Sequence, residues 1–302
     1  MGYIINLLSI SFYEGLVYGL VCLGVYITFR VLSFPDLTVD GSFPLGGAVA
    51  AILIVKGVNP WLATIFALIA GMLAGLATSL LNTKLRINAL LAGILIMISL
   101  YSINLAIMGR SNISLLREKT VFNQTAQFFG VNDNILLSII FMVVLTVFIL
   151  GILNWFLYTE IGLALRATGD NQQMVRGFGV STDMTTILGV SISNGLVALS
   201  GGLIAQKQGF SDVGMGIGMI VMGLASVIIG ERLFRPRGVT SILLAVIGGS
   251  FSYRLFISVA LRLGLPPSFL KLITALLAIV VLSIPYIQKR IRGEWIPPAE
   301  RM

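Results

Sequence analysis

The side chains that could do chemistry in this chain are few and of restricted types. The chain has no histidine, and its one cysteine, Cys22, lies in an apolar stretch. A metal cluster, a thiol–histidine pair or a disulfide framework within one chain is therefore excluded. The sequence Gly-x-x-x-x-Gly-Lys-Ser/Thr, which cradles phosphates, does not occur. We expect no catalytic centre, no metal and no cofactor, and ATP, if it is used, must bind to another subunit.

A polar interruption near the amino terminus is the first candidate site. Asp36, Thr38, Asp40 and Ser42 break an otherwise apolar sequence. Carboxylates near a membrane core are costly and usually face a cavity or a partner. Two interpretations remain open: a polar part of a translocation pathway or its cytoplasmic gate, and a turn at the membrane interface, where aspartate costs little.

Further polar residues lie inside apolar segments: Asn88, Ser193, Asn194 and Arg254. The two asparagines and the serine could hydrogen-bond a polar solute, although hydrogen bonds between helices are the more frequent use of such residues. Arg254 could meet an anionic solute group such as a carboxylate. Alternatively, it could snorkel outward or pair with Glu14 or Asp212.

The composition is that of a membrane protein. Of 302 residues, 57% are hydrophobic and 11% are charged, with a mean hydropathy of +1.00. A soluble domain carries about twice that charged fraction. No stretch outside the apolar segments is long enough for a soluble domain of about 50 residues, so we predict a single membrane domain over residues 1–302. We attribute the net charge of +8 to cytoplasmic Lys/Arg bias and not to nucleic-acid binding, because the basic residues form small clusters at span ends.

The apolar segments predict an all-α, polytopic fold of about nine transmembrane helices, within a range of eight to ten. Crossing about 30 Å of hydrocarbon takes about 20 helical residues. The predicted spans are 15–32, 43–55, 61–81, 87–109, 135–159, 184–206, 213–230, 238–261 and 268–287. The second is too short for a straight crossing, so we predict a broken span with an irregular entry over Asp36–Ser42. Such backbone is tolerated at membrane depth only inside protein or beside a wet cavity.

A polar stretch at 160–183 lies between two long uncharged segments and reads EIGLALRATGDNQQMVRGFGVSTD. It predicts a helical hairpin whose first half ends at Gly169, while Asp170 caps a second half that stops at Gly177. Helices this short are marginal in water alone, so we expect a partner protein with a groove to hold them. The alternative is an ordinary polar loop.

This hairpin resembles the cytoplasmic loop of permeases from ABC importers, most closely the branched-chain amino acid and ribose permease family. The resemblance is carried by Gly162, Leu165, Arg166, Ala167, Gly169, Gly177 and the following Val-Ser-Thr-Asp. Within the family, the chain is most similar to the subgroup that works with tryptophan- or tyrosine-type binding proteins. The resemblance implies that the loop is a coupling helix that docks on an ATPase subunit. It assigns coupling to Glu160, Gly162, Leu165, Arg166, Gly169, Asp170, Arg176 and Gly177.

The distribution of Lys and Arg sets the predicted orientation. With the hairpin in the cytoplasm of a bacterial cell, twelve basic residues lie inside and seven outside, which fits the positive-inside rule. The amino terminus is then outside and the carboxyl terminus inside. A weak repeat relates the two halves, because Phe34-Pro35-Asp36 and Phe210-Ser211-Asp212 each precede a glycine-rich apolar run. In the predicted topology these halves are inverted, which is a common build among transporters.

The resemblance implies a permease subunit of an ATP-driven importer for an amino acid or similar small polar solute. The implied partners are ATP-binding subunits, an extracytoplasmic substrate-binding protein, a second permease copy and membrane lipid, with no nucleic acid. The first alternative is a secondary transporter driven by an ion gradient, for which Asp36, Asp40 and Arg254 are the candidate coupling residues. The second, a membrane-embedded enzyme, ranks last because the sequence offers neither histidine nor paired intramembrane carboxylates.

Overall fold

A computed structural model describes residues 2–128, 130, 135–264, 266, 269, 272–280 and 283, and only the backbone of residues 2–6. Within these residues, the regular structure is helical apart from two three-residue strands. The first elements are α1 (Gly2–Val25), a π-helical turn (Tyr26–Val31), α2 (Val39–Val55), α3 (Pro60–Thr83), α4 (Ala89–Met108), β1 (Asn112–Ser114), α5 (Val121–Phe128) and α6 (Ile135–Tyr158). There follow α7 (Glu160–Asp170), α8 (Gln172–Gly177), α9 (Thr182–Gln208), β2 (Phe210–Asp212), a 3-10 turn (Val213–Gly216), α10 (Met219–Phe234) and α11 (Val239–Arg262).

The prediction of an all-helical, polytopic membrane protein is confirmed. In the part of the chain that the structure describes, seven helical segments are long and apolar enough to cross a membrane. The apolar helix α2 is shorter, with 17 residues. The predicted ninth span, 268–287, lies partly outside the described residues, and 272–280 are helical. The count of nine is therefore not reached among the residues described.

The chain between α1 and α2 is irregular, but earlier than predicted. Helical structure ends at Val31 and resumes at Val39, so Asp40 and Ser42 lie in the first turn of α2 and not in the irregular entry. The Asp36 carboxylate explains where α2 begins. Its Oδ1 accepts the backbone N–H of Thr38 at 2.9 Å, which closes a turn just before the helix starts at Val39. Both residues are fully buried, as irregular backbone at membrane depth requires.

Helix α9 is the centre of the bundle, buried along most of its length against α1, α2 and α3. Glycines let the backbones of α2 and α9 approach closely. A Cβ at Gly46 would overlap the backbone of Ala198, and one at Gly201 would overlap the carbonyl of Phe43. Close approach of this kind is how helices gain dispersion energy where lipid offers no hydrophobic driving force.

Contacts between loops fix which helix ends lie together. At one end, which we call the hairpin end, the Val31 carbonyl touches Gly169 of α7, and Arg30 pairs with Glu231 of α10 at 2.6 Å. At the other, the strand end, β1 pairs with β2 in antiparallel register. The helices therefore alternate in direction as the inward and outward spans of the predicted topology do.

A local feature is shared by the segments before α2 and α10. The carboxylates of Asp36 and Asp212 each accept the backbone N–H two residues later, at 2.9 Å from Thr38 and 2.8 Å from Gly214. The helices that follow run in opposite directions, α2 towards the strand end and α10 towards the hairpin end. The shared turn agrees with the predicted inverted repeat at this one place, and the repeat itself stays a prediction.

Candidate functional site

Five polar side chains meet halfway along α9 and are fully buried: Asp36, Thr38, Ser42, Thr78 and Asn194. We call them the mid-depth cluster. The Asn194 amide donates to Oδ2 of Asp36 at 2.6 Å, and its carbonyl oxygen accepts from Ser42 Oγ at 2.7 Å. Thr38 and Thr78 share a hydroxyl hydrogen bond of 2.7 Å. The cluster thus ties the start of α2 to both α9 and α3.

The polar groups of the mid-depth cluster are hydrogen-bonded to one another or to nearby backbone. Asp36 is compensated by a donor on each carboxylate oxygen, from Thr38 and Asn194, which offsets the cost of burying the carboxyl group. The second hydrogen of the Asn194 amide group donates to the Val190 carbonyl at 3.0 Å. In this conformation the cluster is a closed junction between helices, without access for a solute.

Sequence reasoning missed Thr78, although α3 carried a signal for it. Gly71, Gly75 and Thr78 follow one another at helical spacing on one face of α3. The two glycines touch the backbone of α9 at Asn194 and Val190, so the same face delivers Thr78 to the cluster. Small residues on one helical face mark a packed interface in a membrane.

Asp40 links the starts of α2 and α10. Its carboxylate accepts the N–H of Gly218 at 3.0 Å and the N–H of Ile220 at 2.9 Å. The negative charge therefore lies at the amino-terminal end of α10, where it satisfies free donors and complements the helix dipole. Asp40 also lines a cavity of about 380 Å³, together with Tyr101 and Asn104 of α4.

A larger cavity, of about 690 Å³, opens in the strand-end half between α1, α10 and α11. Arg254 lines it and lies 3.5 Å from the carboxylate of Glu14, one of the two partners that the sequence suggested. The guanidinium carbon also lies 3.4 Å from the centre of the Tyr18 ring. Arg254 is therefore held inside the bundle and does not snorkel outward.

Two predicted pathway residues lie elsewhere. Asn88 is not inside a span; it is the exposed N-cap of α4, and its side chain accepts the N–H of Leu90 at 2.9 Å. Ser193 is fully buried, but its hydroxyl donates to the Gly24 carbonyl at 2.7 Å and so joins α9 to α1. Neither belongs to the mid-depth cluster or to the Arg254 cavity.

The hairpin is present as α7 and α8, with different caps from those predicted. Helix α7 continues through Gly169 to Asp170, and the N-cap of α8 is Asn171, whose side chain accepts the N–H of Met174 at 3.0 Å. Asp170 is therefore the last residue of α7 and not a cap. Gly169 is a packing residue, because a Cβ there would overlap the Val31 carbonyl.

One face of α7 is fixed to the bundle. Gly162 touches the backbone at the end of α6, and Leu165 is fully buried beside Gly189 of α9. The hydroxyls of Thr168 and Thr185 add a hydrogen bond of 3.0 Å between α7 and α9. Arg166 lies over the Tyr158 ring at 5.9 Å.

The rest of the hairpin faces outward. Glu160, Asp170 and Gly177 are exposed, and no atom lies within 4 Å of a Cβ built on Gly177. Arg176 is exposed but tethered, since its Nε donates to Thr182 at 2.7 Å. Apolar side chains are exposed here too, with Met174 at 49% and Phe178 at 78%.

Comparison with known proteins places the chain among transport proteins. A family model described as branched-chain amino acid transport system / permease component matches residues 7–282. The tyrosine transport system permease protein of Clostridioides difficile (strain R20291) is 44% identical over 270 residues, covering 89% of this chain and 88% of that one. An uncharacterized protein of Rickettsia prowazekii (strain Madrid E) is 38% identical over 283 residues, covering 92% of this chain and 97% of that one. No solved structure matches significantly.

Proposed function

Because the chain belongs to the branched-chain amino acid transport system permease family, we propose that it is the membrane subunit of an ATP-driven importer. It moves an amino acid or similar small polar solute that an external binding protein delivers. Two ATP-binding subunits supply the energy, and two copies of the permease enclose the pathway. Within the family, the observation that carries the ATP-driven mechanism is the hairpin, which is fixed on one face and exposed on the other.

A coupling element needs a free surface for its partner and a fixed contact with the transmembrane helices, and the hairpin has both. Helix α8 and the residues after it present Met174 and Phe178 outward, the kind of apolar surface that a groove in a partner protein covers. Helix α7 touches the π-helical turn that follows α1 through Gly169, and α9 through Thr168. Displacement of the hairpin by an ATP-binding subunit would therefore reach the core of the bundle directly.

The proposed orientation puts the hairpin in the cytoplasm of a bacterial cell. The hairpin end holds Arg30, Lys84, Arg86, Arg166, Arg176, Arg232, Arg235 and Arg237 among the described residues. That basic cluster favours the cytoplasmic side. The strand end and the cavity beside Arg254 then face the exterior, where a binding protein would release its solute.

The solute that we propose to test first is tyrosine, because the relative named as a tyrosine permease is 44% identical over most of both chains. Asp40 and Arg254, which line cavities, are the proposed pathway residues. The mid-depth cluster supplies the joint around which α2 is held.

Co-purification tests the coupling role. The permease is expressed with its ATP-binding subunits, and Phe178→Glu is compared with Phe128→Glu, an equally large change at an exposed phenylalanine (85%) outside the hairpin. Phe178→Glu should abolish co-purification, since it buries a charge in an apolar contact. Phe128→Glu should leave it intact. Retention of the ATP-binding subunits by both variants would contradict docking at the hairpin.

A secondary transporter is the second candidate, and the position of Asp36 favours it. A buried carboxylate halfway through the bundle is where an ion-coupling site belongs. Proteoliposomes decide between the two: an importer of the proposed kind takes up tyrosine with internal ATP and an ionophore present. Uptake that needs an ion gradient and ignores ATP would establish the secondary transporter.

A further inference from the structure

The cavity in the strand-end half is built around one ion pair. Its walls come from α1, α10, α11, the 3-10 turn before α10 and residues 274–275, and its volume of about 690 Å³ falls in the range of about 300–1,000 Å³ that ligand pockets occupy. Glu14 and Arg254 both line it, 3.5 Å apart. An intramembrane ion pair beside a cavity of this size is a candidate binding site.

The ion pair leaves binding capacity on both partners. The Glu14 side chain is 36% exposed and that of Arg254 is 15% exposed. The Nε of Arg254 is buried and has no hydrogen-bond partner among the described residues. A guanidinium has five N–H donors, and a single contact of 3.5 Å satisfies few of them.

The Tyr18 ring fixes the orientation of the guanidinium. The ring centre lies 3.4 Å from the guanidinium carbon, a stacked cation–π arrangement that leaves the donors at the edge of the guanidinium plane. Tyr18 itself is buried, stacked against Phe43 of α2 with ring centres 6.0 Å apart. Arg254 is thus held in one plane before any solute arrives.

We propose that Glu14 and Arg254 together bind the charged end of an α-amino acid as it crosses the permease. The α-carboxylate binds the guanidinium of Arg254, and the α-ammonium binds the carboxylate of Glu14. One protein ion pair is exchanged for two pairs with the solute, so the exchange itself leaves the net charge unchanged. This inference rests on the proposed function and specifies its solute as a zwitterion.

The remaining walls select the solute's side chain. They include Ile10, Met219, Met222, Ile257 and Leu261. Such walls suit an apolar or aromatic side chain, and the methionines adapt to its shape because their side chains are flexible and polarisable. Arg262 at the end of α11 also lines the cavity, so a basic side chain would meet a like charge as well as apolar walls and would lose hydration.

A purely structural ion pair would behave differently on mutation. If Glu14 and Arg254 only neutralise each other, removing one leaves a buried charge, whereas removing both together is mild. If they bind the solute, removing both is as damaging as removing either. The doubly neutral variant therefore separates the two roles.

The test uses the complete importer in proteoliposomes, with saturating tyrosine-loaded binding protein and radiolabelled L-tyrosine. The variants are Glu14→Gln, Arg254→Gln and the two combined, with Arg110→Gln as an exposed arginine control outside the cavity. Each cavity variant should lower the uptake rate about tenfold or more, as the loss of a charged hydrogen bond does. ATP hydrolysis should stay stimulated by the binding protein, and Arg110→Gln should transport at the wild-type rate.

Recovery of uptake in the double variant to more than half of the wild-type rate would overturn the inference, as would normal uptake in either single variant. If the neutral variants do not assemble, Arg254→Lys decides, because it keeps the charge but loses the two-pronged geometry. Its uptake rate should fall several-fold, and an unchanged rate refutes the proposal. A failure of the proposed function is distinguishable from this result, because the wild-type importer itself would then take up no amino acid when ATP is supplied.

Discussion

Asn194 donates a hydrogen bond of 2.6 Å to the carboxylate of Asp36, a residue 158 positions earlier in the chain. The same amide accepts a hydrogen bond from Ser42 at 2.7 Å. One side chain at the middle of α9 therefore holds both the irregular segment before α2 and the first turn of α2. These two contacts position α2 from a distant part of the chain, which no local sequence preference could do.

Asn194→Ala should lower the free energy of unfolding by about 2–4 kcal/mol, because it leaves a buried carboxylate oxygen and a buried hydroxyl without partners. The measurement is the midpoint of unfolding in a denaturing detergent. The matched control is Asn154→Ala, whose hydrogen bond to Thr240 is exposed. That change should cost less than about 1 kcal/mol. Equal costs for the two variants would show that burial of the Asp36 contact is unimportant.

Asp40→Ala should loosen the start of α10. Two backbone N–H groups, of Gly218 and Ile220, lose their acceptor, and a lost cap of this kind costs about 1–2 kcal/mol. Hydrogen–deuterium exchange over residues 218–222 should accelerate about tenfold, with Asp40→Asn intermediate because one oxygen remains. Exchange rates that match the wild type in both variants would rule out the capping role.

Gly169→Ala should detach the hairpin from the π-helical turn that follows α1. Its Cβ would overlap the Val31 carbonyl, and overpacking of this kind costs about 1–3 kcal/mol. Thermal unfolding should begin at a lower temperature, and transport should weaken at unchanged ATP hydrolysis. Gly177→Ala is the matched control, since open space surrounds that glycine and α8 gains helix propensity. If both changes act alike, the contact with Val31 does not transmit movement.

Thiol labelling tests the orientation of the chain. Cys22 is fully buried, so the background is low. Lys84→Cys, exposed at the hairpin end and outside the proposed docking surface, should resist an impermeant maleimide in intact cells and react in inverted vesicles, whereas Leu116→Cys near the strands should do the reverse. The opposite pattern would place the hairpin outside and remove the docking site for an ATP-binding subunit.

Much of the architecture could be predicted because membrane crossing constrains every residue of a span. The apolar segments gave the seven long helices, and the polar stretch at 160–183 gave the hairpin. Predictions of helix ends from local sequence failed where the same residue type serves either to end a helix or to allow close packing. Gly169 suits a helix stop, but here the missing side chain serves contact with Val31, so α7 continues and Asn171 caps the next helix.

The candidate site was predictable only in part, since its contacts join residues far apart in the chain. Asp36 and Asn194 were both selected as polar residues in apolar surroundings, but nothing in the sequence pairs them. Asn88 was misplaced because a hydropathy pattern does not mark where a helix begins, although asparagine before an apolar run is a common N-cap. Thr78 was overlooked because threonine is frequent on packed helical faces, and only its partner distinguishes it.

The pairing of β1 with β2 has a mechanical consequence. Those strands fasten the loop after α4 to the loop after α9, at the end of the bundle opposite the hairpin. Helices α4 and α9 are thereby fastened together at that end, and sliding α4 past α9 would require breaking main-chain hydrogen bonds. During a transport cycle the strand-end halves of α4 and α9 should therefore move together.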